Sequence, residues 1–334
     1  MLNRRQMLTA SVAAASLAAV MRGSPARSAP VVKIRYNEVV HSLFYAPAYV
    51  AIAKGMFSAA GIEVEMTTAN GGDKSIAALL GGAADIALVG PEAPIYVLNS
   101  ESPRKVRIFC GLTATDGYLL VSREKPAAFD WGMVKGKEVM GWRPGSTPLL
   151  FLEAAMRHNG IDPLKDVKLI NTIAPPARMG AWLAGQAQYA IFAEPDASQL
   201  ELGGKGHIVA SVGHEVGQID YTAFMATDDY LRANPAIIQG WTNAIAKAMT
   251  WTASASVAEL VAVLLPFFPG VSNEAMTAGV ERYRQLNIWK RTPVIDPAAI
   301  ERFQDILVQS DALEPSKRVK YSDLIVPQFA QKAA

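Results

Sequence analysis

Residues 31–89 read VVKIRYNEVVHSLFYAPAYVAIAKGMFSAAGIEVEMTTANGGDKSIAALLGGAADIALV, and the punctuation of this stretch decides the fold. Val31-Val32-Lys33-Ile34-Arg35-Tyr36 alternates apolar and polar residues and is β-branched, which predicts a strand. Ala46 to Lys54 carries Pro47 near its start and Gly55 at its end. Proline lacks an amide that the first helical turn leaves unpaired, and glycine tolerates the left-handed stop, so this run predicts a helix. Phe57 to Gly61 adds a short further turn. Ile62-Glu63-Val64-Glu65-Met66 predicts a second strand. Asn70-Gly71-Gly72-Asp73 reads as a turn, Lys74 to Leu80 as a helix stopped by Gly81-Gly82, and Asp85 to Val89 as a third strand. The order β-α-β-α-β predicts an open α/β sheet with helices on its faces.

The pattern then restarts. Val139-Met140-Gly141-Trp142 reads as a short strand running into Arg143-Pro144-Gly145-Ser146. Thr147-Pro148 opens a helix through Arg157, which Asn159-Gly160 ends. Val167 to Ile170 predicts a strand, Ala177 to Ala184 a helix stopped by Gly185, and Ala187 to Phe192 another strand. Two copies of one unit predict two similar lobes. From Tyr221 the pattern changes to amphipathic helices at Leu231–Met249, Ser254–Leu265, Glu274–Trp289 and Ile300–Ser310. They have no strands of their own and must pack on existing faces.

Composition excludes several classes. The chain has 334 residues, 51% hydrophobic, with a formal net charge of +2 and one cysteine. That apolar fraction is a globular core's, not a disordered chain's. One cysteine cannot staple a miniprotein, and +2 gives no field for bulk nucleic-acid binding. Residues 1–28 read as an export signal. Arg4-Arg5 precedes an apolar run from Met7 to Met21, and Ala26-Arg27-Ser28 offers small residues at a cleavage site. The paired arginines point to a twin-arginine signal, although general secretory signals can also begin this way. The apolar run of 15 residues is short of the ~20 a spanning helix needs. Without residues 1–28 the chain has 28 basic and 30 acidic residues, a net of −2. The expectation is a periplasmic protein, soluble after signal cleavage. Cys110, inside Val106-Arg107-Ile108-Phe109-Cys110, reads as a buried hydrophobe rather than a nucleophile.

The run Ala46-Pro47-Ala48-Tyr49-Val50-Ala51-Ile52-Ala53-Lys54-Gly55-Met56-Phe57 with Gly61-Ile62-Glu63-Val64, followed by Leu79 to Ala87 with its Gly81-Gly82-Ala83-Ala84-Asp85 core, resembles a known family. It is similar to the substrate-binding proteins of nitrate/sulfonate/taurine-type ABC importers, the SsuA/THI5-like and NMT1-like group. Gly141-Trp142-Arg143-Pro144-Gly145-Ser146, Leu183 to Ala190 and Glu194-Pro195 extend the likeness over residues 31 to 230. One departure is Gln188, where the family often has Asp. The resemblance implies a periplasmic-binding-protein type II fold, with two Rossmann-like lobes joined by a two-strand hinge. Lobe 1 is expected at 29–120 and 222–334, and lobe 2 at 121–221. The crossings are expected near Leu119–Ala127 and Gln218–Phe224, and the C-terminal helices are expected to return to lobe 1. Because the group includes pyrimidine-precursor and riboflavin binders, the resemblance does not fix a ligand.

In open α/β sheets, ligands sit beyond the carboxyl ends of strands, near helix N-termini. In the first lobe this singles out Asn37, His41, Phe44 and Tyr45, then Asn70-Gly71-Gly72, Gly90 with Glu92, and Asp116. In the second it singles out Arg143, Ser146, Thr147, Ala174 and Glu194. Each also has a plain reading. Gly71-Gly72 can be only a turn, Ser146 or Thr147 only a helix cap, and His41 a solvated loop residue. Phe44 and Tyr45 can be core, and Glu194 a hinge partner for an arginine. Arg143 suits a carboxylate or sulfonate if it faces the cleft. Few cations fall in these loops, mainly Arg143 and Lys74. That leans away from a bare inorganic anion and toward an organic solute with a planar or apolar part.

No HExxH, cysteine pair or phosphate-binding loop occurs, so no metal, cofactor or resident ATPase is expected. The expected function is a monomeric, non-enzymatic solute-binding protein. It would deliver a sulfonate, carboxylate or heteroaromatic solute to an ABC permease served by a separate ATPase subunit. The alternatives are an enzyme on the same fold, desulfinase-like or pyrimidine-precursor-synthase-like, and an exported sensor lobe.

Overall fold

The computed structural model describes residues 31–334, so the expected export signal lies outside the described residues. Ten strands follow in chain order: β1 Val32–Glu38, β2 Ile62–Thr68, β3 Ile86–Val89, β4 Val106–Thr113, β5 Leu119–Ser122, β6 Glu138–Met140, β7 Lys168–Ile170, β8 Tyr189–Phe192, β9 His207–Ser211 and β10 Thr222–Thr227. They form two five-stranded sheets, ordered β2-β1-β3-β10-β4 and β7-β6-β8-β5-β9. In each sheet the fourth strand in the order runs antiparallel to its neighbours. That strand comes from the other half of the repeat: β5 follows β4 in the chain but joins the second sheet, and β10 follows β9 but joins the first. The two lobes are therefore tied by a strand exchange.

The first crossing is earlier than the resemblance implies. Leu119 and Leu120 already pair with Phe192 and Ile191 in the second sheet. They belong with that sheet rather than with residues 29–118, and the crossing itself is residues 114–118. The return runs from the end of β9 at Ser211, through the short helix Val212–Val216, to β10.

The repeat explains the departure at Gln188. In the first sheet Asp85 Oδ2 accepts the backbone N–H of Arg35 at 2.9 Å, and the Asp85 N–H donates to Arg35 O. In the second sheet Gln188 Oε1 accepts the N–H of Glu138 at 2.8 Å, and the Gln188 N–H donates to Glu138 O. A side-chain amide oxygen does the work of the carboxylate. Only the carboxylate also holds the Arg35 guanidinium.

The elements form where apolar periodicity meets a cap. In β1, Ile34 and Tyr36 are buried while Lys33 and Arg35 are exposed, the period of two of a strand with one covered face. Tyr36 packs against Phe224 and Trp241, and Phe57 closes over Trp241, fixing the helix Pro235–Ser254 on the first sheet. Removing a fully buried indole of this kind costs about 3–5 kcal/mol. The helix expected from Leu231 is instead two, Asp228–Ala233 and Pro235–Ser254, because Pro235 cannot donate and disfavours helical backbone at Asn234. The helix expected to reach Trp289 ends at Gln285. Pro235–Ser254 packs on Ala46–Ala53, but Asn273–Gln285 packs on Asp196–Leu202, and Pro297–Gln309 on Thr147–His158. These two C-terminal helices bridge to the second lobe rather than returning to the first alone.

Candidate functional site

A cavity of about 640 Å³ lies between the two lobes, at the carboxyl ends of β1, β3 and β6. Its wall includes Phe44 and Tyr45 from the segment after β1, and Gly72 and Asp73 at the start of the helix Gly72–Leu80. Gly90 and Glu92 come from the end of β3, and Trp142 to Pro148 from the segment after β6. Tyr96, Tyr118, Tyr221 and Thr222 also face it. Residues of both lobes therefore face one space.

Three contacts close the cleft over this space. Arg143 Nη2 donates to Asp73 Oδ1 at 2.8 Å. Tyr96 Oη donates to Gly145 O at 3.1 Å, and the Thr147 N–H donates to Glu92 Oε1 at 3.4 Å. Gly71 makes the first contact possible, since a Cβ there would lie 2.5 Å from Arg143 Nη2 and 2.7 Å from Asp73 Oδ1. At Gly90 a Cβ would overlap both Glu92 Oε2 and Thr147 Oγ1. Glycine at 90 thus leaves room for these two polar groups to converge on one spot.

Glu92 is the polar centre of the cavity. Its side chain is buried, and among the described residues Oε2 has no hydrogen-bond partner. Burial pushes its carboxyl above the ordinary value, while the adjoining Thr147 hydroxyl and amide pull the other way. Thr147 Oγ1 and the Tyr221 hydroxyl also lack partners of good geometry. A buried polar group without a partner loses free energy of about 1–3 kcal/mol, which a ligand able to pair with it recovers. The charged side chains of the lining, among the described residues, are Asp73, Glu92 and Arg143. The Arg143 guanidinium also holds the Asp73 carboxyl below its ordinary value.

The structure brings together Phe44, Tyr45, Gly72, Gly90, Glu92, Arg143, Ser146 and Thr147 from the expected set. It places the others elsewhere. Gly71 serves the cavity only by letting Arg143 pass. Asn37 is buried beneath it, its amide donating to Thr67 Oγ1 at 3.0 Å. His41 turns away: Nδ1 meets Glu38 Oε1 at 2.7 Å and Nε2 meets Phe267 O at 2.8 Å, so it pins the chain after β1 to the C-terminal helices. Asn70 supplies a left-handed turn residue. Asp116 lies in the first crossing, with Oδ1 accepting the Tyr118 N–H at 2.6 Å. Ala174 is an exposed residue before a short 3-10 turn.

Glu194 is enclosed by Ser198 and Arg282, and Arg282 also reaches Glu201. Its carbonyl accepts the Leu43 N–H, at the rear of the cleft. Ser146 lines the cavity, but its hydroxyl donates back to Arg143 O at 2.5 Å and does not cap the helix. Lys74 is exposed and does not reach the cavity.

Sequence reasoning missed most of the aromatic wall. Tyr96 stands four residues after Glu92 on the same helix, so the i, i+4 spacing carries its signal. Trp142 directly precedes Arg143; its indole meets Tyr118 at a tilt and carries the Arg178 guanidinium 4.4 Å from its ring centroid. Arg178 is buried, its pKa pulled down to about 10 by burial, and it donates to Ile191 O and Gly141 O. It thereby holds the ends of β6 and β8 in place behind Trp142. Cys110 is fully buried in β4, outside the cavity, and burial pushes its thiol up. Among the described residues, no three His, Cys, Asp or Glu gather as a metal site. No helix among them is long and apolar enough to cross a membrane.

This two-lobed architecture can be set beside known proteins. The family model of the NMT1-like family matches residues 30–265. The chain belongs to the NMT1-like family. It is 37% identical over 300 residues to the candidate binding protein YtlA of Bacillus subtilis (strain 168), an alignment covering 90% of this chain and 89% of that protein. In three dimensions it is similar to the periplasmic nitrate-binding protein NrtA from Synechocystis PCC 6803, with a TM-score of 0.74 at 16% identity over 91% of this chain and 88% of that one. It is also similar to the alkanesulfonate-binding protein SsuA from Xanthomonas axonopodis pv. citri, solved bound to MOPS. There the TM-score is 0.72 at 15% identity, over 90% of this chain and all of that one. At such identities the likeness is one of fold.

Proposed function

We propose that this chain is an exported solute-binding protein that captures a small organic molecule between its lobes and presents it to an ABC permease. The observation that carries this reading is the cavity of about 640 Å³ whose wall is shared by both lobes and closed by side-chain contacts across the cleft. Such a space suits a binding protein that opens and shuts about a hinge. The kinship with YtlA and the shared fold of NrtA and SsuA support it. The work needs no covalent step; among the described residues the lining has no thiol, no histidine and no lysine. The ATPase is a separate subunit, the site of action is the periplasm, and the working unit is a monomer.

The test is a thermal-shift screen of the chain from Ala29 against organic cations, carboxylates, sulfonates, heteroaromatics and nitrate. A solute at 100 times its dissociation constant adds about 2.7 kcal/mol of stability, a plainly visible rise in Tm. Solution scattering should show a smaller radius of gyration with the bound solute, which should be recovered unchanged. Recovery of a chemically altered solute would replace this reading with an enzymatic one. Absence of any hit across all five classes would overturn it.

A further inference from the structure

The ligand class follows from what the cavity offers and what it has already committed. Its cationic side chain among the described residues, Arg143, is paired with Asp73 across the cleft. Its buried carboxylate, Glu92, is not paired with any cation, and Oε2 has no hydrogen-bond partner among the described residues. With Arg143 and Asp73 cancelling, an ionised Glu92 leaves the lining with a formal charge of −1. The surrounding wall is aromatic. The Tyr45, Tyr96 and Tyr221 rings stand close enough to Glu92 for its charge to act on their hydroxyls, and Trp142 faces the same space. Aromatic faces attract cations through their quadrupoles, and a desolvated carboxylate without a partner demands one. An anion entering here would meet a buried acid of its own sign, and could reach Arg143 only by displacing Asp73.

We infer that the cavity takes an organic cation, a protonated amine or amidine on a flat or apolar body. An N–H of that nitrogen donates to the Glu92 carboxylate, and the body lies among the aromatic rings. Gly90 lets Glu92 Oε2 and Thr147 Oγ1 pack against its backbone, where a Cβ would overlap both, and so sets the position of the carboxylate that meets that nitrogen. This inference rests on the solute-binding reading above, and it names the solute's charge.

Matched pairs of probes test it, each pair sharing one body: phenethylammonium and 2-phenylethanesulfonate, benzamidinium and benzenesulfonate, tryptamine and indole-3-ethanesulfonate. Binding is read by Tm and by titration calorimetry on the chain from Ala29. The ammonium or amidinium member of at least one pair should bind tenfold or more tightly than its sulfonate partner. Glu92→Gln should lose tenfold or more of that affinity, and its unliganded melting curve reports whether it folds. Gly90→Ala keeps the charge but pushes the Glu92 carboxylate and the Thr147 hydroxyl out of place, and should lose a similar factor.

Stronger binding of the sulfonate member, or cation binding indifferent to Glu92→Gln and Gly90→Ala alike, would overturn the inference while leaving solute binding standing. Binding of neutral or anionic solutes with no cation bound at all would do the same. No binding by any probe here or in the wider screen would overturn both.

Discussion

Glu92 gives the cavity a pH signature. Burial holds its carboxyl protonated above the pH at which the unfolded chain releases that proton. Between the ordinary glutamate value and the raised folded value, the folded state binds the extra proton. Stability from this group therefore falls as pH rises through that window, and is flat above it. The groups facing it are the Tyr45, Tyr96 and Tyr221 hydroxyls, which burial keeps neutral there, the Thr147 hydroxyl and the Asp73–Arg143 pair. Urea unfolding of wild type and Glu92→Gln across the acid range checks this. The variant should lack that part of the slope and gain on wild type as pH rises; equal slopes would mean the carboxyl is not held in this way.

At Gly71 the matter is steric. A methyl group there displaces the Arg143 guanidinium from Asp73, so Gly71→Ala should release the latch as Arg143→Ala does. The pair is partly exposed, so the loss of stability should stay within about 1 kcal/mol. The clearer readout is the off-rate of bound solute, which both changes should raise severalfold.

At the scale of elements, capping decides where helices begin. Ser256 accepts the Glu259 N–H at 3.2 Å, while the Glu259 carboxylate accepts the Ser256 N–H at 2.8 Å, a reciprocal capping box before Val257–Leu264. Ser256→Ala should cost about 1 kcal/mol in denaturant unfolding, without changing solute affinity. Elements with such local punctuation were legible in the sequence: Pro47 and Gly55 bracket one helix, and Gly81-Gly82 stops another. The Asn234-Pro235 dipeptide carried the same kind of signal against a single helix from Leu231, and the apolar period running through it hid the break.

What local pattern could not carry is sheet membership. Leu119–Ser122 and Thr222–Thr227 look like ordinary strands, and their partners lie some 70 and more than 100 residues away in the chain. The cavity follows the same logic. The loop rule reaches Glu92 and Thr147, because they sit at strand ends. It does not reach Tyr118 and Tyr221, because they sit at the crossings, whose positions depend on the exchange.

The whole molecule inherits its cooperativity from that exchange. β10 lies between β3 and β4, and β5 between β8 and β9, so neither sheet is complete without a strand from the other half of the chain. Asn273–Gln285 and Pro297–Gln309 add side-chain packing across the same boundary. Heat should therefore unfold the protein in one transition, with calorimetric and van't Hoff enthalpies in agreement. Two resolved transitions would show that the lobes melt independently.

The exchange also dictates an order of events at the ribosome. Many multi-lobed chains fold their first part as it emerges. Here the strand that fills the slot between β3 and β4 is residues 222–227, so the first sheet waits until the whole second lobe has been synthesised. Until then the nascent chain holds two strands with open edges facing an empty slot, the kind of surface that invites pairing with other chains. The lobe that begins the chain can therefore be completed only after the lobe that follows it has been made.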